Sequence, residues 1–226
     1  MVFQSVFITG GTGFVGRNLI PELARRGHRV RAIARPKSVT NLPKDAQAFV
    51  GDVTRAESYF RFMGDADTFV HLAGVSHPNP AKAAEFRRVD LESTRQAVNA
   101  AVRAGIKNFV YVSVAQPSPV MAAYVAVRQE CEQIISMSGL KASILRPFYI
   151  LGPGRQWPRL LQPFFLIAER LPSLGPAARR LSFVNVKQMT GALVSAVENP
   201  PRDVRIWTAA DIKEAGERIA SQMALA

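Results

Sequence analysis

Val2-Phe3-Gln4-Ser5-Val6-Phe7-Ile8 runs without interruption into Thr9-Gly10-Gly11-Thr12-Gly13-Phe14-Val15-Gly16, and this junction decides the fold. The apolar run reads as a buried strand. Behind it Phe14, Leu19, Ile20, Leu23 and Ala24 share one face at helical spacing, and Gly27 stops the helix. Between strand and helix stands Gly11-x-Gly13-x-x-Gly16. Glycine there permits a tight turn, lets the backbone approach a pyrophosphate and lets the helix pack closely on the strand, while the helix N-terminus offers N–H groups to phosphate oxygens. The strand–turn–helix context lifts the pattern from an ordinary glycine-rich turn to a dinucleotide-binding fingerprint.

The alternation continues outward from this turn. Strands are expected at His28–Ala34, Gln47–Val50, Thr68–His71, Asn108–Ser113 and Lys141–Leu145, and helices at Ala56–Phe62, Ala81–Arg103 and Met121–Met137. Strands separated by helices imply parallel pairing with right-handed crossovers, hence an α/β, doubly wound parallel sheet of the Rossmann type. Beyond Pro147 the prolines Pro153, Pro158, Pro163, Pro172 and Pro176 predict short helices and loops. We therefore expect one NAD(P)-binding domain over residues 1–226, with 147–226 contributing a small substrate-facing lobe.

Composition narrows the function classes. The 226 residues, 48% hydrophobic and 20% charged, suffice for a sizeable core, so disorder is excluded. The lone Cys131 excludes an intramolecular disulfide and a cysteine-rich zinc site, and fits a reducing compartment. The three histidines show no metal-ligand spacing, so no metal is expected. No apolar stretch approaches the roughly 18 residues of a spanning helix, and the order of charge and apolarity at the N-terminus is not that of a signal peptide; the expectation is a soluble, cytoplasmic protein. A net charge of +12 suits nucleic acid, an anionic membrane surface, a phosphorylated small molecule or a solvated surface alone. Nucleic acid is disfavoured, because no recognition helix, zinc spacing or aromatic RNA-binding strand accompanies the charge.

The second strand ends Ala32-Ile33-Ala34-Arg35, with Lys37 close behind and no carboxylate. An acidic residue at that place binds the NAD ribose and a basic one suits the 2′-phosphate of NADP, so NADP is favoured, with NAD the alternative.

Taken in order, the motifs resemble the extended and atypical short-chain dehydrogenases/reductases, the NAD-dependent epimerase/dehydratase group. They are Thr9 to Gly16; Gly51-Asp52-Val53; His71-Leu72-Ala73-Gly74; Val89-Asp90-Leu91-Glu92-Ser93-Thr94; Phe109-Val110-Tyr111-Val112-Ser113; Tyr124 with a basic residue four later; and Leu145-Arg146-Pro147 with Gly152-Pro153-Gly154. The resemblance covers roughly residues 3 to 200, and the brevity of the chain fits the atypical group better than the nucleotide-sugar enzymes.

The resemblance implies that Gly10, Thr12, Gly13, Phe14, Val15 and Gly16 hold the pyrophosphate side of the cofactor. It places Asp52 and Val53 at the adenine, Leu72, Ala73 and Gly74 along ribose and pyrophosphate, and Pro147 among the cofactor-binding residues. Asp52 read alone is equally a loop or capping residue. The resemblance makes Tyr124 the proton-transferring residue, Arg128 the cation at the nicotinamide ribose, and Ser113 a substitute for the catalytic hydroxyl. Two departures stand out: Arg128 occupies a lysine position, and Val114 occupies the usual hydroxyl position, with Ser118 a weaker substitute. Arginine keeps the charge but is bulkier and cannot release its proton.

The resemblance also implies substrate contacts from Val75–Pro80, Gln116–Pro119 and the segment with Phe148, Tyr149, Arg155, Gln156, Trp157 and Arg159. The expected function is an NAD(P)-binding oxidoreductase acting on a carbonyl, an alcohol or a related small molecule. The alternative is a non-catalytic dinucleotide-binding regulator or accessory subunit. The Met121–Met137 helix resembles one through which subunits of this family pair, so a homodimer is the expected assembly.

Overall fold

A computed structural model describes residues 3–75, 78–117, 121–154 and 182–224. The strands are β1 (Ser5–Thr9), β2 (Arg29–Ala34), β3 (Gln47–Val50), β4 (Thr68–His71), β5 (Asn108–Val112), β6 (Ala142–Leu145), the short β7 (Ile150–Leu151) and β8 (Val184–Asn185), and β9 (Val204–Trp207). The helices are α1 (Phe14–Arg25), α2 (Phe60–Met63), α3 (Ala83–Glu85), α4 (Glu92–Arg103), α5 (Ala122–Ser136), α6 (Val186–Glu198) and α7 (Ala209–Ala224).

Seven strands form one sheet in the order β3-β2-β1-β4-β5-β6-β9, and every pairing is parallel. The doubly wound sheet expected from the alternation is therefore present. The chain order reverses between β1 and β4, and the cleft of such a sheet lies at the carboxyl ends of the strands at that switch point. Thr9 pairs with His71 there, so the glycine turn leaving β1 and the Leu72–Gly74 segment leaving β4 emerge side by side.

Alternate side chains of each strand face opposite layers. Val6, Ile8, Val70, Val110 and Leu145 pack with α1, α6 and α7, while Phe7, Phe69, Phe109, Tyr111 and Ile144 pack with α2, α4 and α5. The central strands β1, β4 and β6 are buried at every residue, whereas the edge strand β3 is largely exposed.

Three local differences from the expected elements have physical causes. The Ala56–Phe62 helix is split into a 3₁₀ turn, Ala56–Ser58, and α2, with Ser58 donating to the Arg55 carbonyl at 2.7 Å. The Ala81–Arg103 helix is helical but not uniform: it opens as a 3₁₀ turn capped by Asn79, and a π turn, Phe86–Leu91, separates α3 from α4. The stretch with Pro158, Pro163, Pro172 and Pro176 lies outside the described residues, and beyond it α6 and α7 are long helices that the sequence pattern does not single out. Helix α6 starts on a capping box formed by Asn185 and Gln188, and α7 crosses it where Gly191 faces Gly216. A Cβ on Gly216 would lie 2.4 Å from the Gln188 Cα, so the two backbones are in direct contact. Strand β9 then adds the seventh strand against β6.

Candidate functional site

The glycine turn is shaped by contacts that exclude side chains. Gly10 has φ +74°, and a Cβ there would sit 2.5 Å from the Leu72 carbonyl carbon and 2.6 Å from the Ala73 nitrogen. A Cβ on Gly16 would lie 2.6 Å from both the Gly10 oxygen and the Gly11 Cα, which is the close packing of helix on turn that the spacing implies. Gly13 donates its N–H to the Gly10 carbonyl at 3.0 Å and begins α1 in extended backbone, with no side chain capping the helix. The positive end of the helix dipole thus meets a partly exposed rim of Thr12, Gly13, Phe14 and Val15. Phe14 packs its ring where a Cβ on Gly152 would stand, 2.5 Å from Cζ. These residues fit a pyrophosphate: a cradle that any added carbon would fill, beside uncapped helix N–H groups.

The charge beside this turn is sorted by pairing. Arg25 pairs with Glu22, Arg26 with Glu198, and Arg29 and Arg31 with Asp65. Arg35 and Lys37, at the carboxyl end of β2, are exposed and make no ion pair among the described residues. Asp52 behaves as a loop residue: its Oδ1 accepts from the Thr54 N–H at 2.9 Å and from the Thr54 hydroxyl at 2.8 Å. Val53 is partly buried against the α2–α4 layer.

Tyr124, Arg128 and Glu132 lie at i, i+4 and i+8 on one face of α5. Met121, at the helix start, has φ +60°, a left-handed conformation that costs a non-glycine residue roughly 1–2 kcal/mol. Tyr124 meets the Phe86 ring at 5.0 Å, and the Arg128 guanidinium stands 4.9 Å from its ring centroid. Burial raises the Tyr124 phenol above its ordinary pKa, while the Arg128 charge and hydrogen bond pull it back down.

Arg128 is itself buried. Its Nη2 pairs with Asp90 Oδ1 at 2.5 Å, and its Nη1 donates to the Tyr111 hydroxyl at 2.8 Å and the Val112 carbonyl at 3.0 Å. The expected ribose-facing cation is thus already engaged on three protein acceptors. Nε is buried without a partner.

Ser113 is turned inward, and its hydroxyl donates to Glu132 Oε1. Gln116 Nε2 donates to the same oxygen at 2.8 Å, and Arg146 Nη2 pairs with Oε2 at 2.5 Å. One buried carboxylate therefore ties together the ends of β5 and β6 and the loop that follows β5. With its proton given to Glu132, Ser113 offers a ligand only lone pairs. Pro147 is buried and its carbonyl accepts the Ala115 N–H at 3.0 Å, closing the same junction. Ala73 is buried, Leu72 is partly so, and Gly74 is exposed along the exit from β4.

His71 lies beneath this floor, fully buried, bonded through Nδ1 to the Thr9 hydroxyl at 2.7 Å and stacked on Tyr111. Burial pushes its pKa down to about 3, so it is a neutral structural group at physiological pH. His28 likewise serves structure, accepting the Gln4 N–H at 3.2 Å. Among the described residues no group of His, Cys, Asp or Glu is arranged to hold a metal, and no helix is long and apolar enough to cross a membrane.

Asp90, Tyr111 and Arg146 stand inside the motifs quoted above without an assigned role, and Glu132 stands outside them. The i, i+4, i+8 spacing of Tyr124, Arg128 and Glu132 was the signal available for Glu132. His77, Ser118, Arg155, Gln156, Trp157 and Arg159 lie outside the described residues.

Residues 6–119 match the family described as NAD dependent epimerase/dehydratase. A "ceramide reductase" of Caulobacter vibrioides is 31% identical over 199 residues, 86% of this chain and 61% of that protein. A "3-beta-hydroxysteroid dehydrogenase" of Mycolicibacterium neoaurum is 34% identical over 114 residues, 48% of this chain and 31% of that protein. The chain thus spans less than two thirds of the length of either relative. The crystal structure of the Bordetella bronchiseptica enzyme WbmH in complex with NAD+ shares the fold, with a TM-score of 0.70 over 99% of this chain and 83% of that one, at 23% identity.

Proposed function

The chain belongs to the NAD-dependent epimerase/dehydratase family, and on that premise we propose that it is an NADP-using oxidoreductase of the atypical short-chain group, acting on a carbonyl or alcohol of a small molecule. The observation that carries this reading is the joining of a glycine cradle to Tyr124 through adjoining contacts: the β1 turn touches Leu72 and Ala73, and Gly74 touches the Arg128–Asp90 pair beside Tyr124. Two relatives named for reductase and dehydrogenase activity support it.

The chain's own residues divide the work. Gly10, Gly13 and Gly16, with the start of α1, would hold the pyrophosphate, and Arg35 with Lys37 the 2′-phosphate. Leu72 to Gly74 and Pro147 would line the remainder. Bound, the nicotinamide supplies or accepts the hydride. Tyr124 donates its phenol proton to the oxygen that develops charge during reduction, or takes it back during oxidation. A phenol raised above its ordinary pKa is fully protonated at neutral pH, which suits donation. Arg128 stabilises the phenolate left behind. Ser113, held by Glu132, would accept a hydrogen bond from a substrate hydroxyl.

The cofactor choice is tested by Arg35→Ala. NADPH affinity is expected to fall about tenfold, the worth of one charge-assisted contact, while NADH affinity moves less than about twofold. An equal loss for both cofactors, read by fluorescence titration, would reject the NADP assignment.

A non-catalytic dinucleotide-binding regulator is the second reading, favoured by the commitment of Ser113 to Glu132 and of Arg128 to Asp90. The reading includes a cytoplasmic location, on the strength of the single buried thiol Cys131. It also includes a homodimer through the α4–α5 face. Val102 (50% exposed) and Met137 (86% exposed) border a groove of about 640 Å³ there. Arg95 and Arg103 flank it opposite Glu130 and Glu57, a pattern of both signs that a two-fold axis can match to itself. Met137→Glu should convert a sedimenting dimer to monomer; a wild-type chain that sediments as a monomer at high concentration refutes the assembly.

A further inference from the structure

The π turn at Phe86–Leu91 lodges an extra residue inside a helix, a local irregularity that recurs at functional sites. Here it carries Asp90 into the protein, 1% exposed. Every acceptor of Asp90 is in use. Oδ1 faces Arg128 Nη2 at 2.5 Å and Oδ2 accepts the Val75 N–H at 3.1 Å. Its carbonyl accepts from the Ser93 hydroxyl at 3.2 Å, the Thr94 hydroxyl at 2.9 Å and the Cys131 thiol at 3.7 Å. The pair also lies against the backbone: a Cβ on Gly74 would come within 2.6 Å of Arg128 Nη2 and 2.8 Å of Asp90 Oδ1. Burial raises the Asp90 carboxyl above its ordinary pKa, and the Arg128 guanidinium and the Val75 N–H oppose that shift by favouring the anion. As the anion, Asp90 cancels the Arg128 charge, fixes the guanidinium in place, and pins the chain leaving β4.

We propose that Asp90 is a positioning residue for the reaction: it holds Arg128 as a rigid, electrically neutral pair against Tyr124, so that the cation steadies the phenol without becoming a free anion-binding site. This rests on the reading of Tyr124 as the acid/base group. The assignment explains why an arginine serves at this position. A bidentate fork can satisfy Asp90, Tyr111 and the Val112 carbonyl at once, which a single ammonium point charge does not match in geometry. It also explains the need for glycine at position 74.

The titratable and charged groups facing Tyr124 are Arg128 and Cys131 on α5, Asp90 on the π turn and Tyr111 on β5. The test compares the isosteric Asp90→Asn with Arg128→Met and with the double variant. Tyrosine ionisation is followed by ultraviolet difference titration, with Tyr124→Phe of each background subtracted to isolate one phenol. Asp90→Asn uncovers the Arg128 charge and should let Tyr124 ionise about one pH unit lower than wild type. Arg128→Met should move it upward. The double variant, which buries no charge, should return it to within a few tenths of a unit of wild type and melt above either single variant.

If Asp90→Asn does not fold, the return of Tyr124 from its Arg128→Met value in the double variant carries the same test. A lowered melting temperature with an unmoved Tyr124 titration, or losses of melting temperature that simply sum in the double variant, would overturn the proposal and leave Asp90 a core residue only. NADPH titration of the wild type separates the two readings. Failure to bind would refute the oxidoreductase reading, while the coupled titrations would still decide the pairing.

Discussion

Tyr124→Phe is expected to reduce NADPH-dependent turnover of a carbonyl probe by about a thousandfold, the middle of the range for loss of a positioned proton donor. The measurement is loss of reduced-nicotinamide absorbance against a panel of aliphatic and aromatic aldehydes and ketones. The substitution removes one oxygen and leaves the ring, so the Phe86 contact at 5.0 Å and the packing of Arg128 over the ring survive. Cofactor affinity should therefore stay within about twofold and stability within about 1 kcal/mol, which separates chemistry from folding. The effect is large because the alternatives nearby are poor. The Ser113 proton is given to Glu132, the Arg128 guanidinium does not release one, and His71 is buried beneath the floor. Unchanged turnover in Tyr124→Phe would remove Tyr124 from the acid/base role, while cofactor binding without turnover in the wild type would transfer the chain to the non-catalytic reading.

Gly10→Ala is expected to cost about 3–5 kcal/mol of stability and to lower NADPH affinity at least about a hundredfold. Two terms combine. Alanine in the left-handed region at φ +74° costs roughly 1–2 kcal/mol. The remainder comes from backbone overlap, because the new Cβ would stand 2.5 Å from the Leu72 carbonyl carbon and neither atom belongs to a flexible side chain. Relief requires separating the ends of β1 and β4, which breaks the Leu72 N–H bond to the Thr9 carbonyl at 3.1 Å. That movement also displaces the turn that cradles the phosphate. Gly105→Ala is the control: its φ of +65° carries the same conformational strain, but nothing lies within 4 Å of the new carbon. Denaturant unfolding should show it losing only the strain term, with cofactor affinity unchanged.

The sheet was legible because its signals are local and agree with one another. Buried parallel strands need continuous apolar runs, and Thr68–His71 ends where the sequence pattern ends. The glycine spacing then placed the switch point. Less visible was the π turn at Phe86–Leu91, since an extra residue inside a helix leaves apolar spacing nearly continuous on both sides. Helices α6 and α7 escaped notice for the opposite reason. Helix α6 is buried on almost every side, with Gly191, Ala192, Leu193, Val194, Ala196 and Val197 enclosed, so it has no polar face to reveal a period.

At the site, the close backbone contacts of the glycine turn followed from requirements that a sequence displays directly. The polar network did not, because Asp90–Arg128 and Glu132–Arg146 join residues 38 and 14 positions apart. Their pairing is set by tertiary packing, and each charge alone reads as an ordinary solvated residue. The +12 surplus resolved only in part. Pairing accounts for four of the six basic residues around β2 and leaves Arg35 and Lys37 facing the cleft end of the strand.

The central claim is that this cleft binds a phosphorylated nicotinamide dinucleotide, and equilibrium titration of the intact chain with NADPH and with NADH, followed by nicotinamide fluorescence, tests it most directly. The account predicts saturable binding at one site per chain, with NADPH bound about tenfold more tightly than NADH. Binding of neither dinucleotide would contradict it.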